Sequence, residues 1–363
     1  MQKKKLKIAI VAYNLEVGGL TKVITTLYNL LNSIDGVSVE LLFLDNNEGV
    51  DSNISYKSFN STSQKGRFFQ KYLKYIRFKK YLKSTEFDFI IDQRYRVNVV
   101  SEILITKYIY TKEKVIYNIH SSQLKTYLPY SVRITKFLYK DAYKIVCCSK
   151  AIKDLVKNKY GLSNVTCIYN SLDLNSFTEQ KNIALGYKYI VAVGRIEPVK
   201  QFDKLIKAYA NSILPNKNIK LVIVGNGSQL DTCKRISKKL NLTKKVVFTG
   251  VVSKPALYMV NAEFLILCSK YEGFGMVLLE SLACSTPVVS FDVVAGPNEI
   301  IIPNVNGVLV ENQDFESLTR VMNKMIEDDE FLKNCKKEAR NSIIRFSNDE
   351  IKKTWLELLK ITE

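Results

Sequence analysis

Residues 264–269 (FLILCS) form a short apolar run free of charge, the pattern of a strand buried on both faces of a parallel sheet. The residues after this run narrow the choice of fold further. Gly273 and Gly275 punctuate a turn, and Val277, Leu278, Leu282 and Ala283 then recur at helical spacing. A buried strand, a tight turn and a helix start mark the place where an open α/β sheet binds ligands. Two carboxylates flank that turn. On a single helix, Glu272 and Glu280 would stand about 12 Å apart along the axis and roughly 80° apart around it. A carboxylate pair working on one glycosidic bond is separated by about 5 to 9.5 Å. The two glutamates therefore fit different parts of one long ligand, such as a sugar and a ribose, or else an ordinary capped helix with one exposed Glu.

The same cycle recurs along the chain. In the C-terminal half, the apolar run 188–193 leads into Gly194, Arg195 and Lys200, and a helix follows with Phe202, Leu205, Ile206, Tyr209 and Ala210 on one face. A forked guanidinium, an ammonium and the free N–H groups of a helix start together make a diphosphate cradle. Further strands are expected at 220–224, running into Gly225-Asn226-Gly227, and at 246–249, 287–291 and 307–310. In the N-terminal half, strands are expected at 6–13, 37–44, 87–92, 115–119, 143–148 and 165–169. The first ends at Gly18-Gly19 ahead of a helix, which reads either as an anion site or as a tight turn beside a packed helix. Strand 115–119 delivers His120, the single histidine of the chain, to its carboxyl end. A histidine there is either structural or directed at a ligand. The polar stretch 170–182 reads as a linker, so the fold class is α/β with two doubly wound Rossmann-like domains.

A length of 363 residues suits two such domains. The seven cysteines show no CxxC spacing and several lie in apolar runs, as expected of reduced, buried thiols. One histidine leaves little basis for a histidine-based zinc site. The net charge of +19 favours phosphate-rich partners: nucleic acid, anionic lipid or nucleotide substrates. The charge is spread along the chain without interleaved aromatics on paired strands, so no nucleic-acid partner is expected.

Residues 64–84 (QKGRFFQKYLKYIRFKKYLKS) combine a stripe of Phe68, Phe69, Tyr72, Leu73 and Ile76 with crowded lysine and arginine. That is the pattern of a helix lying on an anionic membrane surface, or of a surface helix packed on its own sheet with its lysines solvated. The basic start is followed by an apolar stretch that breaks at Asn14 and Glu16, too short for a cleavable signal, and no run is long enough to span a bilayer. A cytoplasmic protein, peripherally associated with the inner face of the cell membrane, is expected.

Taken in order, Gly18-Gly19, His120, Asn170, Gly194-Arg195 with Lys200, Gly225-Asn226-Gly227, Glu272-Gly273-Phe274-Gly275 with Glu280, Pro287-Val288-Val289 and 296–301 (GPNEII) resemble the family 4 glycosyltransferases. These are retaining enzymes of the GT-B fold, with two Rossmann-like domains facing across a cleft. The resemblance runs through nearly all of the C-terminal half and rests mainly on glycines and His120 in the N-terminal half. It implies an acceptor-binding domain at 1–170, a nucleotide-sugar donor domain at 171–345, and a C-terminal helix, about 346–363, returning to the first domain. It also implies transfer of a hexose or N-acetylhexosamine from a nucleotide diphosphate sugar, a UDP-sugar foremost, to a lipid-linked or oligosaccharide acceptor in a bacterial surface glycan such as capsule, O-antigen or teichoic acid.

Carried over by residue, Arg195 and Lys200 bind the donor diphosphate, and Gly18 and Gly19 approach the distal phosphate. Glu280 holds the ribose. Glu272, with the backbone of Gly273, Phe274, Gly275, Met276 and Val277, holds the sugar and phosphate, and Gly225 belongs to the donor loops. His120 contacts the transferred sugar near the scissile bond. No metal or other cofactor is implied. The chain departs from the family pattern at Leu20-Thr21-Lys22, where Ala-Glu-Arg is common, and at Gln201, where Gly is frequent. An epimerase or a phosphorylase on the same fold is the alternative reading.

Overall fold

The structure is a computed structural model. It describes residues 5–15, 18–45, 54–59, 67–110, 113–177 and 185–361, with the side chains of 67–72 outside that set. The chain divides into two compact units: Met1–Ser171 with Ile351–Glu363, and Leu172–Glu350.

Unit 1 is built on β1 (Leu6–Ala12), β2 (Val37–Phe43), β3 (Tyr56–Ser58), β4 (Phe89–Asp92), β5 (Lys114–Ile119), β6 (Lys144–Cys147) and β7 (Val165–Cys167). The sheet order is β3-β2-β1-β4-β5-β6-β7 and every pairing is parallel. The helices are α1 (Gly19–Asn32), α2 (Arg67–Thr85), α3 (Val99–Leu104), α4 (Val132–Tyr139) and α5 (Lys150–Tyr160). Ile8, Ile10, Leu41, Ile91 and Ile116 are fully buried, as apolar runs in a sheet covered on both faces must be. Strand β3 carries no such signal: all three of its residues are exposed at the sheet edge, so sequence reading missed it.

Unit 2 repeats the plan with β8 (Tyr189–Val193), β9 (Lys220–Val224), β10 (Val246–Gly250), β11 (Leu265–Leu267), β12 (Val288–Phe291) and β13 (Gly307–Val310), in the order β10-β9-β8-β11-β12-β13. Its helices are α6 (Phe202–Ala210), α7 (Leu230–Lys239), α8 (Ala256–Met259), α9 (Met276–Ala283), α10 (Pro297–Ile300), α11 (Phe315–Glu327) and α12 (Asp329–Ala339). In both sheets the strand order reverses beside the first strand, between β1 and β4 and between β8 and β11. These are the switch points where a doubly wound sheet opens a crevice at its carboxyl edge.

The last helix, α13 (Asn348–Leu359), starts in unit 2 and ends in unit 1. Its Ile351, Trp355, Leu356 and Leu359 join the core formed by Ile8, Leu27 and Phe89, and the Tyr143 hydroxyl donates to the Leu358 carbonyl at 2.8 Å. Residues 346–350 lie with unit 2, where the Leu172 N–H donates to the Phe346 carbonyl. The stretch expected to be a linker is therefore partly structured, with a 3-10 turn at Leu174–Phe177.

The basic helix differs from the sequence reading. Residues 64–66 lie outside the described set, and the inward face of α2 is Tyr75, Phe78 and Leu82. Ile76, assigned to the apolar stripe, is exposed, and Lys74 is buried against Asp45 at 2.8 Å. The side chains of Phe68, Phe69 and Tyr72 lie outside the described set, and Leu73 is half-buried.

Trp355→Ala is expected to lower the stability of unit 1 by about 3–5 kcal/mol. Denaturant unfolding followed by circular dichroism, with the unfolding of each unit resolved, measures it.

Candidate active site

In unit 2 the loops that leave β8, β9 and β11 are tied to one another by backbone contacts. Ile196 N–H donates to the Asn226 carbonyl at 2.8 Å, and Gln229 N–H to the Ile196 carbonyl at 2.9 Å. Glu197 accepts from the Ser228 N–H at 3.0 Å and from its hydroxyl at 2.6 Å, which holds the Glu197 carboxyl below its ordinary pKa. This closeness explains the Gly-Asn-Gly run. A Cβ on Gly225, at φ +141°, would lie 2.0 Å from the Gly194 carbonyl oxygen, and one on Gly227 would lie 2.5 Å from that of Ile196. The glycines allow the β9 loop to support the turn that carries Arg195, which is itself exposed.

Lys200 ends that turn. Its Nζ lies 2.6 Å from Glu272 Oε1, on the loop after the neighbouring strand β11, and both side chains are largely buried. The structure thus joins two residues that the sequence could place only on separate loops. Gln201 follows with φ +54°, a left-handed conformation that favours glycine. Here the Gln201 amide donates to the Cys268 carbonyl at 2.9 Å, anchoring the strained residue to β11's loop. Glu272 precedes α9 and Glu280 lies inside it, 6% exposed. Gly275 opens α9 at φ +92°, while Gly273 and Phe274 are buried and Met276 and Val277 half-buried in its first turn. Gly296 passes so close beneath that a Cβ would lie 2.2 Å from the Phe274 carbonyl oxygen.

In unit 1, Gly18 and Gly19 begin α1, and a Cβ on either would meet nothing within 4 Å among the described residues. No packing contact within the described chain demands glycine there. His120 follows β5. Its Nε2 contacts Gln93 Oε1, and since an amide oxygen can only accept, the ring proton lies on Nε2. Nδ1 is sealed from solvent, and His120 is among the residues lining a cavity of about 20 Å³ with Asn118, Cys148, Asn170, Ser171 and Trp355. Burial, and then the Arg96 guanidinium, lower the His120 pKa to about 3.

The sequence reading missed the groups around it. Asp92 at the end of β4, Gln93, Arg94 and Arg96 on the switch-point loop after it, and Glu102 on α3 are all buried. Arg94 is held by Asp92 at 2.6 Å and Glu102 at 3.0 Å, and its guanidinium stands 5.6 Å from the Tyr13 ring at the end of β1. Burial opposes its charge, but Asp92 and Glu102 more than offset that, so its pKa is raised well above the ordinary value. Arg96 donates to the carbonyls of Tyr127 at 2.9 Å and Asn118 at 2.7 Å. The available signal was a run of polar residues, 92–96 (DQRYR), directly continuing a buried strand.

The described residues contain no group of three or more His, Cys, Asp or Glu placed to hold a metal ion. The family model for Glycosyltransferase Family 4 matches residues 17–176, and that for Glycosyl transferases group 1 matches residues 175–342. The chain belongs to glycosyltransferase family 4. This glycosyltransferase is 36% identical over 231 residues to the N-acetylgalactosamine-N,N'-diacetylbacillosaminyl-diphospho-undecaprenol 4-alpha-N-acetylgalactosaminyltransferase of Campylobacter jejuni. That match spans 62% of each chain. It is 26% identical over 351 residues to the amylovoran biosynthesis glycosyltransferase AmsD of Erwinia amylovora, covering 94% of this chain and 96% of that one. Among solved structures, Anabaena HepE in complex with UDP-glucose superposes with a TM-score of 0.78 at 20% identity, over 98% of this chain and 100% of the other. The fold of the glycosyltransferase is GT-B.

Gly225→Ala is expected to destabilise unit 2 by more than about 2 kcal/mol, read from its unfolding midpoint, because backbone rather than a flexible side chain must move. His120 gives the glycosyltransferase a defined pH response. An unfolded imidazole binds its proton near pH 6.5 and the folded one only near pH 3, so the unfolded state holds more protons between those values. That contribution to stability is complete above about pH 6.5 and is lost as the pH falls toward 3. Replacing His120 by Gln is expected to flatten this part of the stability profile, measured by denaturant titration across the range.

Proposed function

We propose that the glycosyltransferase moves a hexose or N-acetylhexosamine, with retention, from a UDP-sugar to a lipid-linked acceptor of a bacterial surface glycan. The observation that carries the donor half is the assembly at the β8–β11 switch point: Arg195 exposed on one turn, Lys200 fixed by Glu272 on the next, and Glu280 buried in the helix behind. Fixed cations beside a leaving diphosphate stabilise the charge that develops there without reorganising during the reaction. In this reading Arg195 and Lys200 supply that charge with no metal or other cofactor. Glu272 sets the position of Lys200 and meets the sugar, and Glu280 meets the ribose hydroxyls. The backbone of Gly273–Val277 lines the sugar and phosphate, and Gly225 keeps the Arg195 turn in place.

Gly18 and Gly19 take the distal phosphate, a role supported by the open space around them. In this reading His120, neutral in the folded protein, contacts the transferred sugar, and a donor phosphate oxygen assists deprotonation of the acceptor hydroxyl. The UDP-glucose complex of the Anabaena protein supports the donor class. The undecaprenol-linked substrate named for the Campylobacter jejuni relative supports the acceptor class, with capsule, O-antigen or teichoic acid as the product. An enzyme with such an acceptor works at the cytoplasmic face of the cell membrane.

Release of UDP from a panel of UDP-sugars, with and without undecaprenyl-diphosphate-linked acceptors, tests the proposal. Arg195→Ala and Glu280→Ala are each expected to lower kcat/KM by about 100-fold or more. Unchanged turnover in both variants would overturn the site. Donor breakdown that proceeds to a new sugar nucleotide without any acceptor would replace transfer by epimerisation.

A further inference from the structure

Seventeen large hydrophobic residues are exposed among the described residues, and eight of them lie between Tyr95 and Phe137. The concentration is much higher than in the rest of the chain. Val97 is 70% exposed, Val100 77%, Tyr108 60%, Tyr130 84% and Phe137 54%. Singly exposed apolar residues need no explanation, but a cluster of them marks an interaction surface.

Contacts within unit 1 bring these residues together. The Lys107 Nζ lies 4.8 Å from the Phe137 ring, which joins the π-helical turn after α3 (Ile105–Ile109) to α4. The Tyr139 hydroxyl donates to Glu102 at 3.3 Å, tying the end of α4 to α3. The Tyr95 ring stands 5.6 Å from Tyr127, and the Lys159 Nζ stands 4.7 Å from the Tyr130 ring, which adds the end of α5. Thr135, Leu138 and Tyr139 hold the inner face of α4 in the core, so Phe137 is turned outward by the helix period, while Val132 is exposed in the first turn.

The charge on this surface is mainly positive, with the exposed Asp141 beside Lys140 at its edge. Lys107, Arg133, Lys136, Lys140 and Lys159 stand on or beside it. The only carboxylates between residues 95 and 140 are Glu102, which is buried and occupied by Arg94, and Glu113. Aromatic and aliphatic side chains rimmed by lysine and arginine are what inserts into an anionic lipid interface. A second copy of the chain fits poorly, since self-pairing would set cation against cation. The described part of α2 is also a poor inserter, because Tyr75, Phe78 and Leu82 are already buried in the unit.

We propose that the surface formed by residues 95–137, centred on α3 and α4, is the face by which this protein docks on an anionic lipid bilayer. The inference gives a partner surface to the lipid-linked acceptor proposed above and rests on that reading for its purpose, though lipid binding is measured independently of it.

Flotation with vesicles of equal parts phosphatidylglycerol and phosphatidylcholine, and of phosphatidylcholine alone, tests the surface. The wild type is expected to float with the anionic vesicles and to be released by salt. Tyr130→Ser with Phe137→Ser is expected to lower the vesicle partition constant about tenfold or more, as burial of two such side chains would be lost. Arg133→Ala with Lys136→Ala is expected to weaken binding to the anionic vesicles specifically. Arg77→Glu with Lys80→Glu, on α2, is expected to weaken it less than either.

Unchanged partition in the Tyr130/Phe137 variant, with an unchanged melting temperature, would overturn the proposal. So would loss of binding confined to the α2 variant, or a concentration-dependent dimer by light scattering that the Tyr130/Phe137 variant abolishes. UDP release without lipid separates the two readings. A Tyr130/Phe137 variant that releases UDP like the wild type but no longer floats supports the surface. A wild type that floats but turns over no donor sinks the enzymatic proposal and leaves the surface standing.

Discussion

A parallel sheet covered by helices on both faces admits almost no polar side chain along its strands, so the polar chemistry of this chain gathers where strands end. Both units use the strand order that reverses beside its first strand, and both place their polar clusters on the loops leaving that reversal. In unit 2, the loops after β8 and β11 meet through Lys200 and Glu272. In unit 1, the end of β4 and the loop after it carry Asp92, Gln93, Arg94 and Arg96 beside the end of β1. The same topological constraint produces both sites, although the residues share no motif.

The two sites are stabilised differently. Unit 2 relies on backbone closeness: glycines at 225, 227 and 296 let one loop rest directly on another, leaving Arg195 free to project. Unit 1 relies on buried charge. Arg94 between Asp92 and Glu102 is a group whose desolvation is tolerable only because both partners and their geometry are in place. That network fixes the loop from which Gln93 reaches His120, and Arg96 nearby disfavours a second positive charge on the imidazole. The result is a neutral histidine with one nitrogen engaged and the other sealed from solvent.

Glycines therefore carry different meanings at different places. Gly18 and Gly19 have open space where a side chain would go, so the protein's own packing does not explain them. Gly225 and Gly296 have backbone there instead, and their identity follows from the fold. A sequence shows these as the same letter. Gln201 makes the converse point: a residue with a side chain occupies a left-handed position that favours glycine, and its amide is tied to the Cys268 carbonyl.

Local rules were enough for twelve of the thirteen strands, since apolar runs of strand length bounded by glycine and polar turns need no tertiary context to be recognised. They also placed Arg195, Lys200 and Glu272 on the turns that leave strands, and Glu280 in the helix after one, because those residues follow the runs that define the strands. Beyond that reach the sequence was silent. Edge strand β3 was invisible because, lying exposed, it has no burial to write into its residues. On α2, Ile76 was placed on the apolar stripe but is exposed, while Phe78 and Leu82 are buried, because amphipathic spacing in a helix rich in aromatics admits more than one stripe. The pairing of Lys200 with Glu272, the enclosure of Arg94 and the contact of Gln93 with His120 join residues 72, 8 and 27 positions apart. Chain order carries no record of such distances. The sequence determined which residues end strands; the tertiary structure alone decided which of those ends meet.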